Sequence, residues 1–179
     1  VDDLFQLKVT NKLHHSSIKS GIAVLRQSGF DPDCLKRRAV PGERSTVAQV
    51  ALWTNHRVME WLKEVDLSEY APNLRGSGVH GALLVFEPKF NDELLAALLS
   101  IPANKTLLRR HLSIHFKELV GRDIMHEKRT VEQAAGFVPL TPTAKAKTRP
   151  LGQFTLKRKK SKSHIDFDDL VCPFPKNFN

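Results

Sequence analysis

The sequence predicts an all-α protein, and three features of its 179 residues lead to that prediction. Apolar residues in segment 53–65 recur at i, i+3, i+4 and i+7 and form one helical stripe: Val58, Trp61, Leu62 and Val65. Segment 104–121 carries a longer stripe of the same period: Leu108, Leu112, His115, Phe116 and Leu119. Short apolar runs separated by glycine and proline lie between them. We therefore expect a five-helix bundle over residues 48–121, in which a long fifth helix closes four short ones.

The second and third helices of the bundle are placed by their end signals. Ser68 is a candidate N-cap for the second helix, which would bury Tyr70 and Leu74 and end in the glycine-rich stretch 76–78. Residues 80–86 supply the third helix.

The fourth and fifth helices have similar signals. Pro88 stops the third helix, and Asn91 with two following acids begins the fourth. The apolar residues of the fourth helix are Leu94, Leu95, Leu98 and Leu99. Pro102 lies near the first turn of the fifth helix, where proline is tolerated.

Two further helices precede the bundle, in residues 1–30. The first uses Leu4 and Leu7, and the longer second helix stops at Ser28 and Gly29. The predicted inner face of the second helix consists of Leu13, Ile18, Ile22 and Leu25. This order of short and long helices echoes the end of the bundle, although two unrelated amphipathic helices would look the same. Residues 31–47 have the proline, glycine and charge content of a linker.

The positive charge of the chain belongs mostly to its C-terminal part. The formal net charge is +9, but eight Lys or Arg and no acid lie between residues 144 and 163, which leaves +1 for the rest. Prolines and this basic block predict a tail of low order over residues 122–179. The two cysteines are too few for a secreted disulfide scaffold and favour a reducing, intracellular compartment.

These features are combined in a known family. A tryptophan-bearing first helix, the Leu-x-x-Tyr of residues 67–70 and a long last helix resemble a SAM domain. The stretches WTNHRVMEWLKEVDLSEYAPNLRGSGVHGALLV and NKTLLRRHLSIHF resemble the third SAM domain of the liprin-β family. The opening VDDLFQLKVTNKLHHSSIKSGIAVLR resembles the end of the second SAM domain of that family.

The resemblance implies a function as well as a fold. Residues 1–30 would be the last two helices of a truncated SAM domain, which either lie on the bundle or fluctuate, and residues 48–121 a complete one. The resemblance implies a non-enzymatic cytoplasmic scaffold that pairs with liprin-α at the cell cortex, at synaptic and cell-adhesion sites. Other SAM domains, or a second copy of the chain, are further candidate partners.

Motifs of catalysis and ligation are weak in this sequence. Residues 76–81 match G-x-G-x-x-G, but a helix precedes them where a dinucleotide site needs a strand. His111 and His115 have the i, i+4 spacing of a zinc face but lack the Glu of H-E-x-x-H and a third ligand. We predict no catalytic residues, no cofactor and no metal.

Charge asymmetry within the bundle is more informative. Residues 52–100 carry a net charge of −3 and residues 101–122 a net charge of +4. Opposite charges steer protein association, so one of two groups is predicted to bind another SAM domain. The basic group is Lys105, Arg109 and Arg110, and the acidic group is Glu64, Asp66 and Glu69. The alternative is that both are solvated surfaces without a partner.

A basic cluster in the tail offers a function of another class. Its members are Lys157, Arg158, Lys159, Lys160 and Lys162. Such a cluster could bind nucleic acid or anionic lipid, because cations neutralise phosphates without a folded site.

Overall fold

The computed structural model describes residues 2–40, 42 and 45–146. Within these residues there are eight α-helices and two 3-10 turns, and β-pairing is limited to two isolated bridges. The helices are α1 (Asp2–Gln6), α2 (Lys12–Gln27), α3 (Val47–Ala51), α4 (Asn55–Glu64), α5 (Gly81–Phe86), α6 (Asp92–Leu98), α7 (Thr106–Val120) and α8 (Arg122–Glu132). The 3-10 turns are Pro32–Cys34 and Ala71–Leu74. The all-α prediction is confirmed.

One hydrophobic core unites the bundle. Trp61 is 6% exposed, and Leu112 and Phe116 of α7 are fully buried in the same core cluster as apolar residues of α3, α4, α5 and α6. Asn91 caps α6 as predicted, since its side chain accepts a hydrogen bond from the Leu94 amide.

Two helix starts differ from the prediction. The second bundle helix is only the 3-10 turn Ala71–Leu74, which follows Tyr70 and has no side-chain cap. An α-helix capped by Ser68 would require an amide hydrogen at position 72, and Pro72 has none. Helix α7 begins at Thr106, because a turn in which the Lys105 amide donates to the Pro102 carbonyl comes first.

Helix α2 packs on the bundle with a face that was predicted correctly only at Leu13. Its buried residues are Leu13, His15, Ser17, Ser20 and Val24. Ile22 is 40% exposed, while Ile18 and Leu25 are half-buried. The small side chains of Ser17 and Ser20 allow α2 to lie close to α5, where larger residues would hold the helices apart.

The glycine-rich stretch 76–81 joins these helices. Ser17 Oγ donates a 2.7 Å hydrogen bond to the Gly78 carbonyl, and His80 Nε2 lies 2.9 Å from the Ser17 carbonyl. A Cβ on Gly81 would stand 1.6 Å from the Val50 carbonyl oxygen, so glycine is required where α5 crosses α3. The motif thus serves helix packing.

Residues 122–146 form helix α8 and a following segment packed on the bundle, which corrects the expected start of the low-order tail at residue 122. Helix α8 packs on α7 and places Lys128 Nζ 2.6 Å from the Glu87 carbonyl. The following segment, residues 133–146, is here called the C-terminal strap. It buries Leu140 in the core and ends beside α2, where the Lys12 amide donates to the Ala144 carbonyl at 2.8 Å.

Candidate protein-interaction surface

The basic group at the start of α7 lies close to the connection between α4 and the Ala71–Leu74 turn, here called the acidic connection because it carries Asp66 and Glu69. Lys105 Nζ donates a 3.2 Å hydrogen bond to the Tyr70 hydroxyl and lies 5.9 Å from the centre of the Tyr70 ring. The Tyr70 hydroxyl, and secondarily the charge of Glu69, raise the pKa of Lys105. Lys105 is therefore a positive charge held at the edge of the acidic connection.

The two arginines of the basic group have different surroundings. Arg109 Nη1 donates to the Ile101 carbonyl at 2.8 Å, and Arg109 Nη2 pairs with Glu93. These contacts anchor α7 to α6 and engage the Arg109 charge within the chain. Of the two arginines, Arg110 is exposed, whereas Arg109 is half-buried.

The acidic group also divides. Glu64 accepts hydrogen bonds from both terminal nitrogens of Arg57 at 2.9 and 3.4 Å, and that guanidinium stacks 4.1 Å from the Trp53 ring centre. This pairing holds the Glu64 carboxylate against its own bundle. Asp66 and Glu69 are exposed in the connection between α4 and the Ala71–Leu74 turn. Asp66 has a backbone φ of +59°, which suits the end of a helix.

Helix α7 also presents two exposed apolar side chains that the sequence pattern did not single out. Leu107 is 82% exposed and Ile114 is 47% exposed. They are seven residues apart, about two helical turns, and so share one outer side of α7. Their signal in the sequence is a second apolar pair at helical spacing that does not belong to the inner stripe of α7.

Of the two histidines on α7, His111 connects this outer side to the end of α4. His111 Nε2 lies 2.8 Å from the Val65 carbonyl, and His115 Nδ1 lies 3.1 Å from Glu118. The two imidazole rings make an edge-to-face contact, with 4.5 Å between their centres. Their ring nitrogens serve helix contacts, and no group of three or more potential metal ligands occurs in the described part of the chain.

The remaining predicted site lies elsewhere. The basic cluster 157–162 is outside the described residues. Among the residues that are described, none of the helices is both long and apolar enough to span a membrane.

The chain is similar to SAM-domain proteins along nearly its whole length. Residues 50–120 match the family model of the SAM domain, the sterile alpha motif. Kazrin of Homo sapiens is 48% identical over 107 residues, which is 60% of this chain and 14% of Kazrin. Liprin-beta-1 of Mus musculus is 54% identical over 173 residues, which is 97% of this chain and 18% of that protein. The chain belongs to the liprin-β family.

A more distant liprin-β relative supports the same assignment. The Liprin-beta homolog of Caenorhabditis elegans is 35% identical over 177 residues, 96% of this chain and 18% of that protein. The similarity to liprin-β proteins therefore takes in the residues on both sides of the SAM domain. The chain spans less than a fifth of the length of these relatives. The predicted resemblance and the SAM fold are confirmed, and SAM domains mediate protein interactions.

Proposed function

We propose that this liprin-β chain is a non-enzymatic scaffold module that binds another SAM domain. The binding surface is the outer face of α7, which carries Leu107, Arg110 and Ile114, together with the acidic connection beside it. The observation that carries the proposal is the exposure of Arg110 and Leu107 at the start of α7. Arginine is enriched among the residues that dominate interface energies, and Leu107 adds exposed apolar area beside Arg110. The interaction residues are Arg110, Lys105 and Leu107, with Asp66 and Glu69 beside them.

The proposed partner is a SAM domain of liprin-α, in the cytoplasm at cortical, adhesion and presynaptic sites. Family membership supports this choice. The sequence motifs support a role without catalysis, since no nucleophile, base and orienting group come together in them. Binding through exposed charges predicts an affinity that falls as salt rises.

Titration calorimetry of the full chain with a liprin-α SAM fragment tests the proposal. Arg110→Glu is expected to weaken binding about tenfold or more, because an attractive contact becomes repulsive. The matched control is Arg129→Glu, which makes the same charge change at an exposed position on α8. Binding that is absent in the unaltered chain, or equal in both variants, would contradict the proposal.

The tail is tested in the same experiment. Neutralising the basic cluster 157–162 is expected to leave SAM binding unchanged, since those residues lie far along the chain from α7. If that change removes binding while Arg110→Glu does not, the basic cluster rather than α7 carries the contact, and the proposed surface is contradicted.

A further inference from the structure

A basic surface pocket lies where the stretch between α2 and α3 meets the bundle. Three of the residues that line it are basic: Lys36, Arg38 and Arg57. Ser45 and Gln49 add a hydroxyl and an amide to the lining. Among the described residues that line this pocket there is no acid and none that belongs to α7. The pocket is therefore a different surface from the one proposed to bind a SAM domain.

The outer wall of the pocket is a stretch of chain that hydrogen bonds hold in place. The Lys36 amide donates to the Leu52 carbonyl at 2.9 Å, and the Thr54 amide donates to the Lys36 carbonyl at 3.0 Å. The Ala39 amide donates to a carboxylate oxygen of Glu60 at 3.0 Å. The basic side chains of this wall therefore extend from a backbone that is anchored to α4 and to the residues before it.

The inner wall carries a buried guanidinium. Arg57 is 6% exposed, and its guanidinium lies 4.1 Å from the centre of the Trp53 ring. Glu64 accepts hydrogen bonds from its two terminal nitrogens, which takes up two of the five N–H donors of an arginine side chain. Stacking and pairing hold this group in one orientation before any ligand arrives, so an anion that binds it does not have to order it.

Positive charge exceeds negative charge around the pocket. The Arg38 side chain is 80% exposed and its Nη1 lies 3.8 Å from Glu60, which is a long ion pair. The Lys36 ammonium makes no ion pair within the part of the chain that the structure describes. Three cations thus stand against the two carboxylates that pair with them, Glu60 and Glu64, and neither carboxylate lines the pocket. The charge inside the pocket favours an anionic ligand.

We propose that this pocket binds a phosphate monoester, in the form of a phosphorylated serine or threonine side chain of a partner protein. Such a group carries a charge of about −1.5 to −2 at neutral pH and three acceptor oxygens. Lys36, Arg38 and Arg57 donate charge-assisted hydrogen bonds to these oxygens, and the Ser45 hydroxyl supplies a neutral one. A carboxylate has a single charge and two oxygens, so it competes less well with Glu60 and Glu64 for the same cations.

Nuclear magnetic resonance titration of the full chain tests the site. The probe is the blocked peptide Gly-phosphoserine-Gly, added at constant ionic strength. Amide signals of residues 36–40 and 45–57 are expected to shift and to saturate. The unphosphorylated peptide and acetate are expected to bind at least about tenfold more weakly, because each forms fewer charge-assisted hydrogen bonds. Equal shifts with all three ligands would overturn the proposal.

Two adjacent arginines provide a matched pair of variants. Arg38→Ala is expected to weaken binding of the phosphopeptide about tenfold, because it removes a cation that lines the pocket. Arg37→Ala removes the same charge from the preceding exposed residue, which is not part of the lining, and should leave the affinity unchanged. An equal loss in both variants would mean that the peptide is attracted only by the general positive charge of the stretch, and would overturn the site.

The same variants separate this site from the proposed function. Arg38→Ala should bind the liprin-α fragment like the unaltered chain, and Arg110→Glu should bind the phosphopeptide like the unaltered chain. If the phosphopeptide shifts no signal of the pocket while the liprin-α fragment binds, the phosphate site is overturned and the proposed function stands. If the phosphopeptide binds and the liprin-α fragment does not, the reverse holds.

Discussion

At the scale of single residues, Gly81 determines how α3 and α5 pack, because its side chain is a hydrogen atom and leaves no Cβ between them. Its amide donates to the Trp53 carbonyl at 2.8 Å, and the Val50 carbonyl fills the space that a side chain would need. The G-x-G-x-x-G string in which it lies gave no sign of this role, because the requirement comes from α3, about thirty residues earlier.

Gly81→Ala is expected to lower the free energy of unfolding by at least about 1–3 kcal/mol, because α5 must move away from α3. Gly21→Ala is the matched control. The nearest atoms to an added Cβ there are those of His80 at 3.7 Å, an ordinary contact, and the position is inside a helix. Alanine at position 21 should stabilise by about 0.5–1 kcal/mol. Denaturant unfolding of both variants measures the difference, and equal effects would argue against the described crossing of α3 and α5.

The sequence predicts which residues of the bundle are buried, but it does not predict which charged residues of the candidate site stay exposed. Burial of Trp61 follows from the stripe in which it lies, and the structure confirms it. The different roles of Arg109 and Arg110 do not follow, although the residues are adjacent. Their roles depend on whether a carbonyl of another element, that of Ile101, comes within reach. That distance is fixed by tertiary packing.

At the scale of elements, α2 is the clearest case of a helix whose inner face was predicted only in part, since of the predicted residues Leu13 alone is fully buried. Its largest apolar residues suggested a stripe of isoleucine and leucine, yet the face against α5 carries Ser17 and Ser20. Hydrophobic periodicity identifies the helix and its end at Ser28 correctly. It cannot identify a contact made by small polar side chains whose hydroxyls bond to backbone carbonyls, as that of Ser17 does.

The contact of α2 with the bundle should weaken in acid. Burial lowers the pKa of His80 below its ordinary value of 6.5, although the hydrogen bond to the Ser17 carbonyl opposes this. The unfolded chain therefore takes up the His80 proton first as the pH falls. The stability that His80 contributes is present above pH 6.5 and is lost as the pH falls through the lower pKa of the folded state.

Comparison of the unaltered chain with His80→Gln at pH 7.5 and pH 5.5 measures this contribution, because glutamine keeps an amide donor and does not titrate near these values. The loss of unfolding free energy on acidification should be smaller in the variant. An equal loss in both proteins would show that His80 does not carry the effect.

Helix α8 is attached through a buried lysine, and its attachment should respond to pH in the alkaline range. Burial lowers the pKa of Lys128 from 10.5 to about 8, against the opposing effect of Glu87 and other acids. Between these values the unfolded chain binds more protons, so this group makes the free energy of unfolding rise with pH.

Lys128→Met removes the titrating group and retains a flexible apolar side chain. The stability of the methionine variant relative to the unaltered chain should therefore be highest near pH 7 and decline as the pH rises toward 10. Thermal unfolding over this range measures the difference. A difference that does not vary with pH would contradict the burial of the Lys128 ammonium.

At the scale of the whole molecule, the bundle was predictable and its attachments were not. The helical bundle follows from strong helical stripes and clear end signals, such as Asn91 before α6. Its SAM fold was implied by the family resemblance. The C-terminal strap has weak periodicity and several prolines, and it is held by contacts to distant elements. Leu140 enters the core, and the Ala146 amide donates to the Thr10 carbonyl at 2.8 Å. Such long-range contacts leave no local pattern in a single sequence.

The strap and α8 also limit where a partner can bind. Asn91 donates to Glu132 at 2.8 Å, and Lys89 Nζ donates to the Val138 carbonyl at 3.3 Å, so α8 and the strap cover the loop between α5 and α6. Glu87, counted among the acidic residues of the bundle, is 8% exposed. The outer face of α7, with Leu107 and Arg110 exposed, stays open. This arrangement leaves α7 available for the proposed contact.

Hydrogen exchange of the full chain with and without a liprin-α SAM fragment tests the central claim most directly. We predict added protection in residues 64–70 and 104–114, which form the acidic connection and the start of α7, and no change in α8 or the strap. Protection confined to residues 122–146 or to the basic cluster 157–162, with the start of α7 unchanged, would contradict the claim.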